Sequence, residues 1–385
     1  MKSNSINSPY IIAKRSINLE KSHFHRFFSP VSYLSKTSTI CQIVRTKFSQ
    51  VLGSAIMTDN LGTLYTTSQK FPVTESTLQI SQCAFDKCSN TNGNGGGVSI
   101  GTSTSSASVT ITDTGFYQCS AKKAGAIYCQ SKVLQVKGCC INGCTADENS
   151  GIEFESTQND NFDMLNSYVN DIVSYSGILK TKSSLPTYKY SNFSSNTVHE
   201  GYTSSIIACE KPITIQYCLF KSNTLRNAVL LSSSEVSTFQ FINMISNSAL
   251  QLIFSNNIQL QINSVAFLNE NSKFFAVAQK GVIVDKCKFD IPKDKARDRF
   301  SGDTITLNDD CEYDTNSKIN FVLPSSDQCW VLLPDIKRPW LSFSPMVIAL
   351  LCASGIILLM FLFFCRKKMC GRGGMEDTSL LIYTA

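Results

Sequence analysis

The sequence predicts an all-β chain, a parallel solenoid of short strands, followed by one C-terminal transmembrane helix. Three observations carry this. Short alternating apolar segments recur every 22–31 residues, each is followed by a second small-apolar element, and one uncharged apolar run lies near residue 350.

The repeat decides the fold of the large part of the chain. Aligned on an aromatic or aliphatic anchor, the segments run LQISQCAF to Phe85, VTITDTGF to Phe116, LQVKGCCI to Ile141 and FDMLNSYV to Val169. Then come Phe193, ITIQYCLF to Phe220, Met244 in TFQFINM, LQINSVAF to Phe267 and VIVDKCKF to Phe289. Alternation and β-branched residues argue for strands; a helical solenoid would repeat every 3.6 residues or so and favour Ala, Leu, Glu and Lys. Three residues after the anchor stands Cys88, Cys119, Cys144, Asn196, Asn223 or Asn247. A small residue then opens the second element, as in Gly97-Val-Ser-Ile100, Gly125-Ala-Ile-Tyr128 and Ala228-Val-Leu-Leu231. Units of equal pattern and unequal length suit stacked parallel coils, whose turns absorb insertions. Like residues then stack, and an inward asparagine ladder satisfies its amides from coil to coil.

Residues 77–291 hold these repeats. Ahead of them, residues 1–39 read as a polar, basic segment, with Lys14, Arg15, Lys21, Arg26 and Lys36 against Glu20. It has no apolar stretch of the secretory-signal kind. Residues 40–76 read as an N-terminal cap or irregular first coil, since Cys41-x-Ile43 leads to Phe48. Residues 292–340 read as a C-terminal cap and juxtamembrane stalk, with closing strands at 305–307 and 319–323. Cys311 and Cys329 in this flank are the pair most readily joined by a disulfide.

The anchor is the run PMVIALLCASGIILLMFLFFC from Pro345, with no charge before Arg366. About 20 residues at roughly 1.5 Å each match a hydrocarbon core of about 30 Å. A helix satisfies its own backbone there, which lipid cannot do. Residues 341–365 are therefore expected to span a membrane and 366–385 to form a cytoplasmic tail. Arg366, Lys367, Lys368 and Arg372 behind the span outweigh Lys337 and Arg338 before it. The large domain then lies outside the cell at the plasma membrane. Cysteine usage agrees, since 13 of the 16 precede the span. The alternative is a tail-anchored chain with its large domain in the cytosol.

Resemblance adds to this. Phe85-x-x-Cys88 followed by Gly95-Gly96-Gly97-Val98 resembles the paired F-x-x-N and G-G-x-I repeats of bacterial polymorphic outer-membrane proteins, and Phe220-Lys-Ser-Asn223 repeats the first half. The wider similarity, over residues 76–291, is to right-handed parallel β-helix proteins of the pectate-lyase-like superfamily. With one span and a short tail, the chain also resembles single-pass β-helix surface protein families of parasitic protists. The resemblance implies a right-handed parallel β-helix followed by one transmembrane α-helix. The bacterial family ends in an outer-membrane barrel; this chain ends in one helix.

Catalytic and ligand chemistry is sparse. Glycoside hydrolysis needs two carboxylates about 5–10 Å apart, but Asp309-Asp310 falls in the presumed cap, and Asp160, Asp163 and Asp171 belong to a poorly fitting coil. No catalytic, cofactor-binding or metal residue is assigned. His23-x-His25 sits in a basic segment without carboxylates, and the spacings Cys83-x4-Cys88 and Cys140-x3-Cys144 follow the coil repeat. Asn94-Gly95-Gly96-Gly97 lacks the Gly-Lys-Ser/Thr of a phosphate loop. A net charge of +6, with 17% charged residues, gives no concentrated basic face for nucleic acid. Asn192-Phe193-Ser194 is a glycosylation sequon. In the tail, Glu376 with Leu380 and Leu381 resembles the acidic dileucine signal read by sorting adaptors. Cys365 and Cys370 beside basic residues suit palmitoylation. The expected function is adhesion or binding of glycans or extracellular proteins. A degenerate carbohydrate-active enzyme and a structural coat protein are the alternatives.

Overall fold

A computed structural model describes residues 11–13, 16–28, 31–34, 40–58, 77–101, 108–155, 161–183, 186–199, 205–209, 211–232, 237–255, 259–325 and 329. Among them the strands form two sheets, of 20 and 18 strands, paired in parallel throughout. A representative coil runs Thr77–Ser81 and Ala84–Asp86 in the larger sheet, then Ser89–Asn94 and Val98–Ile100 in the smaller one. The next coil returns to the larger sheet at Ser108–Thr112, with Leu78 opposite Val109 and Ile80 opposite Ile111. The expected coil of strands is therefore present: a parallel β-solenoid.

The anchors form one unbroken ladder. Phe85, Phe116, Ile141, Val169, Phe193, Phe220, Met244, Phe267 and Phe289 are register partners in succession. Aromatic neighbours stack face to face, Phe85 on Phe116 at 4.8 Å and Phe193 on Phe220 at 4.9 Å. Parallel in-register pairing sets this distance, because coils repeat at about the strand spacing of 4.8 Å.

The corners on either side of each anchor explain the polar residues of the repeat. From Phe85 to Phe267, the residue three before the anchor and the residue two after it take left-handed backbone, as at Gln82 (φ 53°) and Lys87 (φ 53°), Asp113 (φ 47°) and Gln118 (φ 49°). In the coil of Ile141 both places are glycine, Gly138 and Gly143. Each left-handed residue turns the chain sharply, so the next side chain points inward at a corner. One corner carries Cys83, Thr114, Cys139, Ser167, Ser191 and Cys218, all buried. Their hydroxyl or thiol groups donate to the carbonyl two residues earlier, as Thr114 does to Thr112 at 2.7 Å and Cys83 to Ser81 at 3.2 Å. Cysteine here does the work of a small hydroxyl residue.

The other corner carries the predicted ladder. Asn196 Nδ2 donates to Asn223 Oδ1 at 3.0 Å, and Asn223 Nδ2 to Asn247 Oδ1 at 2.9 Å. Each Nδ2 also donates to the backbone carbonyl of the anchor in the coil before, Val169, Phe193 and Phe220 in turn. Glu270 ends the row, receiving Asn247 Nδ2 at 2.9 Å and the Asn247 backbone N–H at 3.0 Å. Earlier in the same corner stand Cys88, Cys119 and Cys144, fully buried.

The flanks differ from the sequence expectation. Residues 1–39 are not merely a polar segment: Ser16–Glu20 pairs with Ile40–Val44, and His23–His25 with Lys47–Ser49. Phe24 stacks on Phe48 at 5.4 Å, and Phe48 on Phe85 at 5.0 Å, so the ladder begins two coils earlier. At the other end a short helix, Lys293–Arg297, precedes Phe300–Ser301 and Ile305–Leu307, which pair with the last full coil. Tyr313 then stacks on Phe289 at 5.4 Å. Residues 319–323, expected as a closing strand, form none; they lie on the outside of the solenoid.

Contacts divide the chain into two units, Met1–Leu332 and Leu333–Ala385. The expected span 341–365, the tail, and with them Cys365, Cys370, Glu376, Leu380 and Leu381, lie outside the described residues. Among the described residues no helix is long and apolar enough to cross a membrane.

Candidate functional site: a strap on the outward face

Between the two corners, the residue before each anchor faces outward from the larger sheet. Parallel register aligns Asn243, Leu219, Asn192, Tyr168, Cys140 and Gly115 in one column. After Tyr313 the chain turns back and follows this column against the order of the coils.

The contacts are specific. Asn243 Nδ2 donates to the Ile319 carbonyl at 2.9 Å while Asn243 Oδ1 accepts the Ile319 N–H at 2.8 Å. One side-chain amide thus satisfies both backbone groups of one strap residue. The Ile319 side chain packs with Leu219 against Ile245, Ala266 and Leu268. Phe321 meets the ring of Tyr217 edge-on at 6.1 Å. Asn192 Nδ2 donates to the Pro324 carbonyl at 3.3 Å, and Tyr117 Oη to the Cys329 carbonyl at 2.8 Å. Cys329 is disulfide-bonded to Cys140, closing a sequence separation of 189 residues. At the end of the column, a Cβ on Gly115 would fall 2.3 Å from the Tyr117 ring, so glycine lets that ring reach over the strap.

One sequence expectation is corrected here, and the setting of another becomes visible. Cys311 does not pair with Cys329. Cys311 is a buried free thiol in the corner above Cys287, whereas Cys329 has travelled down the column to Cys140. Proximity in sequence misled, because the strap carries Cys329 away from the final coil. Asn192, the residue of the sequon, lies under the strap. It is 9% exposed, its amide nitrogen is engaged by the strap, and its Oδ1 accepts from Ser194 Oγ. A glycan on Nδ2 and the strap exclude one another.

A second polar group lies on the smaller sheet. Glu153 and Glu155 are two apart on the strand Ile152–Glu155 and share a face. Glu155 receives Gln130 Nε2 at 2.8 Å, Tyr128 Oη at 3.2 Å and Lys182 Nζ at 3.2 Å. Burial works against its charge, but these donors hold its carboxyl below the ordinary value. Glu153 is 1% exposed; it accepts from Asn149 Nδ2 at 3.2 Å through one oxygen, and the other oxygen has no partner. Burial pushes its carboxyl up. Sequence reading passed over this pair, since Gly151-Ile-Glu-Phe154 read as one more apolar element.

The remaining candidates stay apart. Asp309 and Asp310 are exposed in the C-terminal flank, Asp309 paired with Lys293 at 3.7 Å. His23 and His25 flank Phe24 with ring centroids 6.0 Å apart. Among the described residues no three His, Cys, Asp or Glu side chains group as a metal site. Outward aromatics do group: Tyr190, Tyr217 and Phe241 stack at 4.8 Å, all in left-handed backbone before their anchors.

No family model, no curated protein and no solved structure matches the chain. The likenesses to polymorphic outer-membrane and pectate-lyase-like proteins therefore stand on the motifs within residues 76–291 alone.

Proposed function

We propose that this chain is a single-pass membrane-anchored cell-surface protein whose flank binds an extended ligand, glycan or protein, in adhesion or recognition. One observation carries the reading: the outward column of the larger sheet holds a polypeptide, chiefly through amides directed at its backbone. A solenoid repeats such a surface coil after coil, which suits extended partners. The outward stack of Tyr190, Tyr217 and Phe241 adds an apolar edge beside the column. The winding is right-handed, as parallel crossovers almost always are, and pectate-lyase-like.

The span at 341–365 anchors the protein with its tail in the cytoplasm. There Glu376, Leu380 and Leu381 engage sorting adaptors, and Cys365 and Cys370 carry palmitate. The Cys140–Cys329 bond supports an oxidising location for the large domain. Labelling intact cells that express the full chain tests this orientation. The tail should be reached only after permeabilisation, and a tail labelled from outside overturns the topology. Glycan and peptide arrays probed with the detergent-solubilised chain test binding; a blank on both defeats the ligand-binding reading in favour of a coat protein.

A carbohydrate-active enzyme is the second reading, and Glu153 with Glu155 favours it. One carboxyl shifted up and its neighbour shifted down is the division of labour between an acid and a base. Turnover of polyuronates and neutral glycans, lost in Glu155→Gln, supports it; no turnover by the wild type removes it.

A further inference from the structure

We infer that the outward column Asn243–Asn192–Cys140 also receives the strap of a second copy of this chain, giving dimers cross-linked from Cys140 of one copy to Cys329 of the other. This goes beyond ligand binding and does not rest on it.

The argument starts from how the strap is attached. Its last backbone tie to the coils is Thr315 N–H to the Phe289 carbonyl at 2.9 Å, and its next is Ile319 on Asn243. Asn316, Ser317 and Lys318, all exposed, are the link between them. Asp314, in left-handed backbone (φ 52°), makes the turn that folds the strap back. A short polar link after a turn is the place where an element extends into a neighbour instead.

The column itself does not distinguish the two arrangements. Asn243, Asn192 and Tyr117 bind backbone groups of Ile319, Pro324 and Cys329, and those groups are identical on a second copy. The covalent bond is equally indifferent. In either case the Cys140 and Cys329 thiols lose two protons and two electrons to a disulfide oxidant of the folding compartment, which is reduced to its dithiol. Concentration then decides, and anchoring copies in one membrane would raise it. Cys329 also comes 189 residues after Cys140, so the Cys140 thiol awaits a partner while the rest of the chain is made.

Complementation tests this with the full chain. Cys140→Ser and Cys329→Ser variants are co-expressed, so that neither can close the bond within itself. A disulfide-linked heterodimer is expected on a non-reducing gel, with the Cys140–Cys329 peptide identified by mass spectrometry. Each variant expressed alone should give no such dimer. Two thiol monomers, both as protease-resistant as the wild type, overturn the inference. Wild-type chains with two different tags, co-expressed, supply the second readout. Dimers retaining both tags and lost on reduction are expected, and their complete absence overturns strap exchange in the native protein even if the variants cross-link. Array binding is read on monomer, so its failure and this one are separate results.

Discussion

Glu270 closes a ladder that asparagine could have continued, and its chemistry differs from the row it ends. The oxygens of Asn223 and Asn247 each accept two N–H groups from the coil before, as Asn247 Oδ1 does from the backbone and side chain of Asn223. Glu270 splits the same pair of donors between two oxygens at 9% exposure. Burial pushes its carboxyl from the ordinary 4.5 up to about 8, against the Asn247 hydrogen bonds; nearby Asp290 adds to the rise and Arg299 opposes it. The folded chain thus holds this proton more tightly than the unfolded chain does. Its stabilisation is full below pH 4.5 and is lost as pH rises through about 8. Denaturation midpoints at pH 5 and pH 9 should therefore differ, the alkaline one being lower by the equivalent of a few kcal/mol, at roughly 1.4 kcal/mol per pH unit. Glu270→Asn should flatten most of that difference while keeping the fold. The new amide can accept both Asn247 donors and donate to the Met244 carbonyl, as its predecessors do to their anchors. An unchanged pH slope in this variant would assign the titration elsewhere. Asn192 gives a second test at this scale. The folded chain should carry no glycan there, so Asn192→Gln should leave the electrophoretic mass of the chain unchanged when it is expressed through a glycosylating compartment; a shift equal to one glycan would mean that the strap is off the column when the sequon is read.

The coil is the element of this fold, and its legibility was uneven. Anchors were readable because one apolar side chain per coil must fill the same interior place, whatever the turn lengths. The asparagine corner was readable from its fixed distance to the anchor, and Glu270 stands at that same distance from Phe267. It was overlooked only because its side-chain class changes. The first coils were hidden for another reason: Phe24 is one buried residue between two exposed histidines, too short a pattern to show through basic composition. The left-handed corners left a fainter trace, glycine in a single coil, since polar residues, or the aromatic Tyr190, Tyr217 and Phe241, occupy the others at a cost of about 1 kcal/mol each. Gln118, exposed with φ 49°, is a clean place to measure this. Gln118→Gly should raise stability by about 1 kcal/mol and Gln118→Val should lower it by more than that. Equal midpoints for the two variants would show that the corner tolerates a β-branched residue and that the backbone there is not strained.

At the scale of the whole molecule the strap was illegible, because its partners are set by three-dimensional register and not by any period. Ile319 meets a residue 76 positions earlier, Pro324 one 132 earlier, and Cys329 meets Tyr117 across 212. Nothing in residues 319–329 announces which coil they touch. Their energetic role is to tie together the coils from Tyr117 to Asn243, which otherwise contact only their neighbours. The Cys140–Cys329 bond closes a loop of about 190 residues, for which the chain-entropy relation gives about 5 kcal/mol against the unfolded state. The double variant Cys140→Ser/Cys329→Ser should lose up to that amount in chemical denaturation. The loss should fall where the strap lies. Amide exchange should quicken at 319–325 and across the coils from Phe116 to Met244 that the strap spans. The Phe24–Phe48–Phe85 end should keep its wild-type protection, because none of these strap contacts reaches it. Asn243→Ala, with the disulfide intact, separates the two contributions. It frees the backbone of Ile319, so exchange at Ile319 should rise while the denaturation midpoint falls by only about 1–3 kcal/mol. A uniform loss of protection along all coils in the double variant would show that the bond acts on the unfolded chain alone. A loss confined to the strapped coils would identify the strap as a clasp that stiffens the middle of the solenoid.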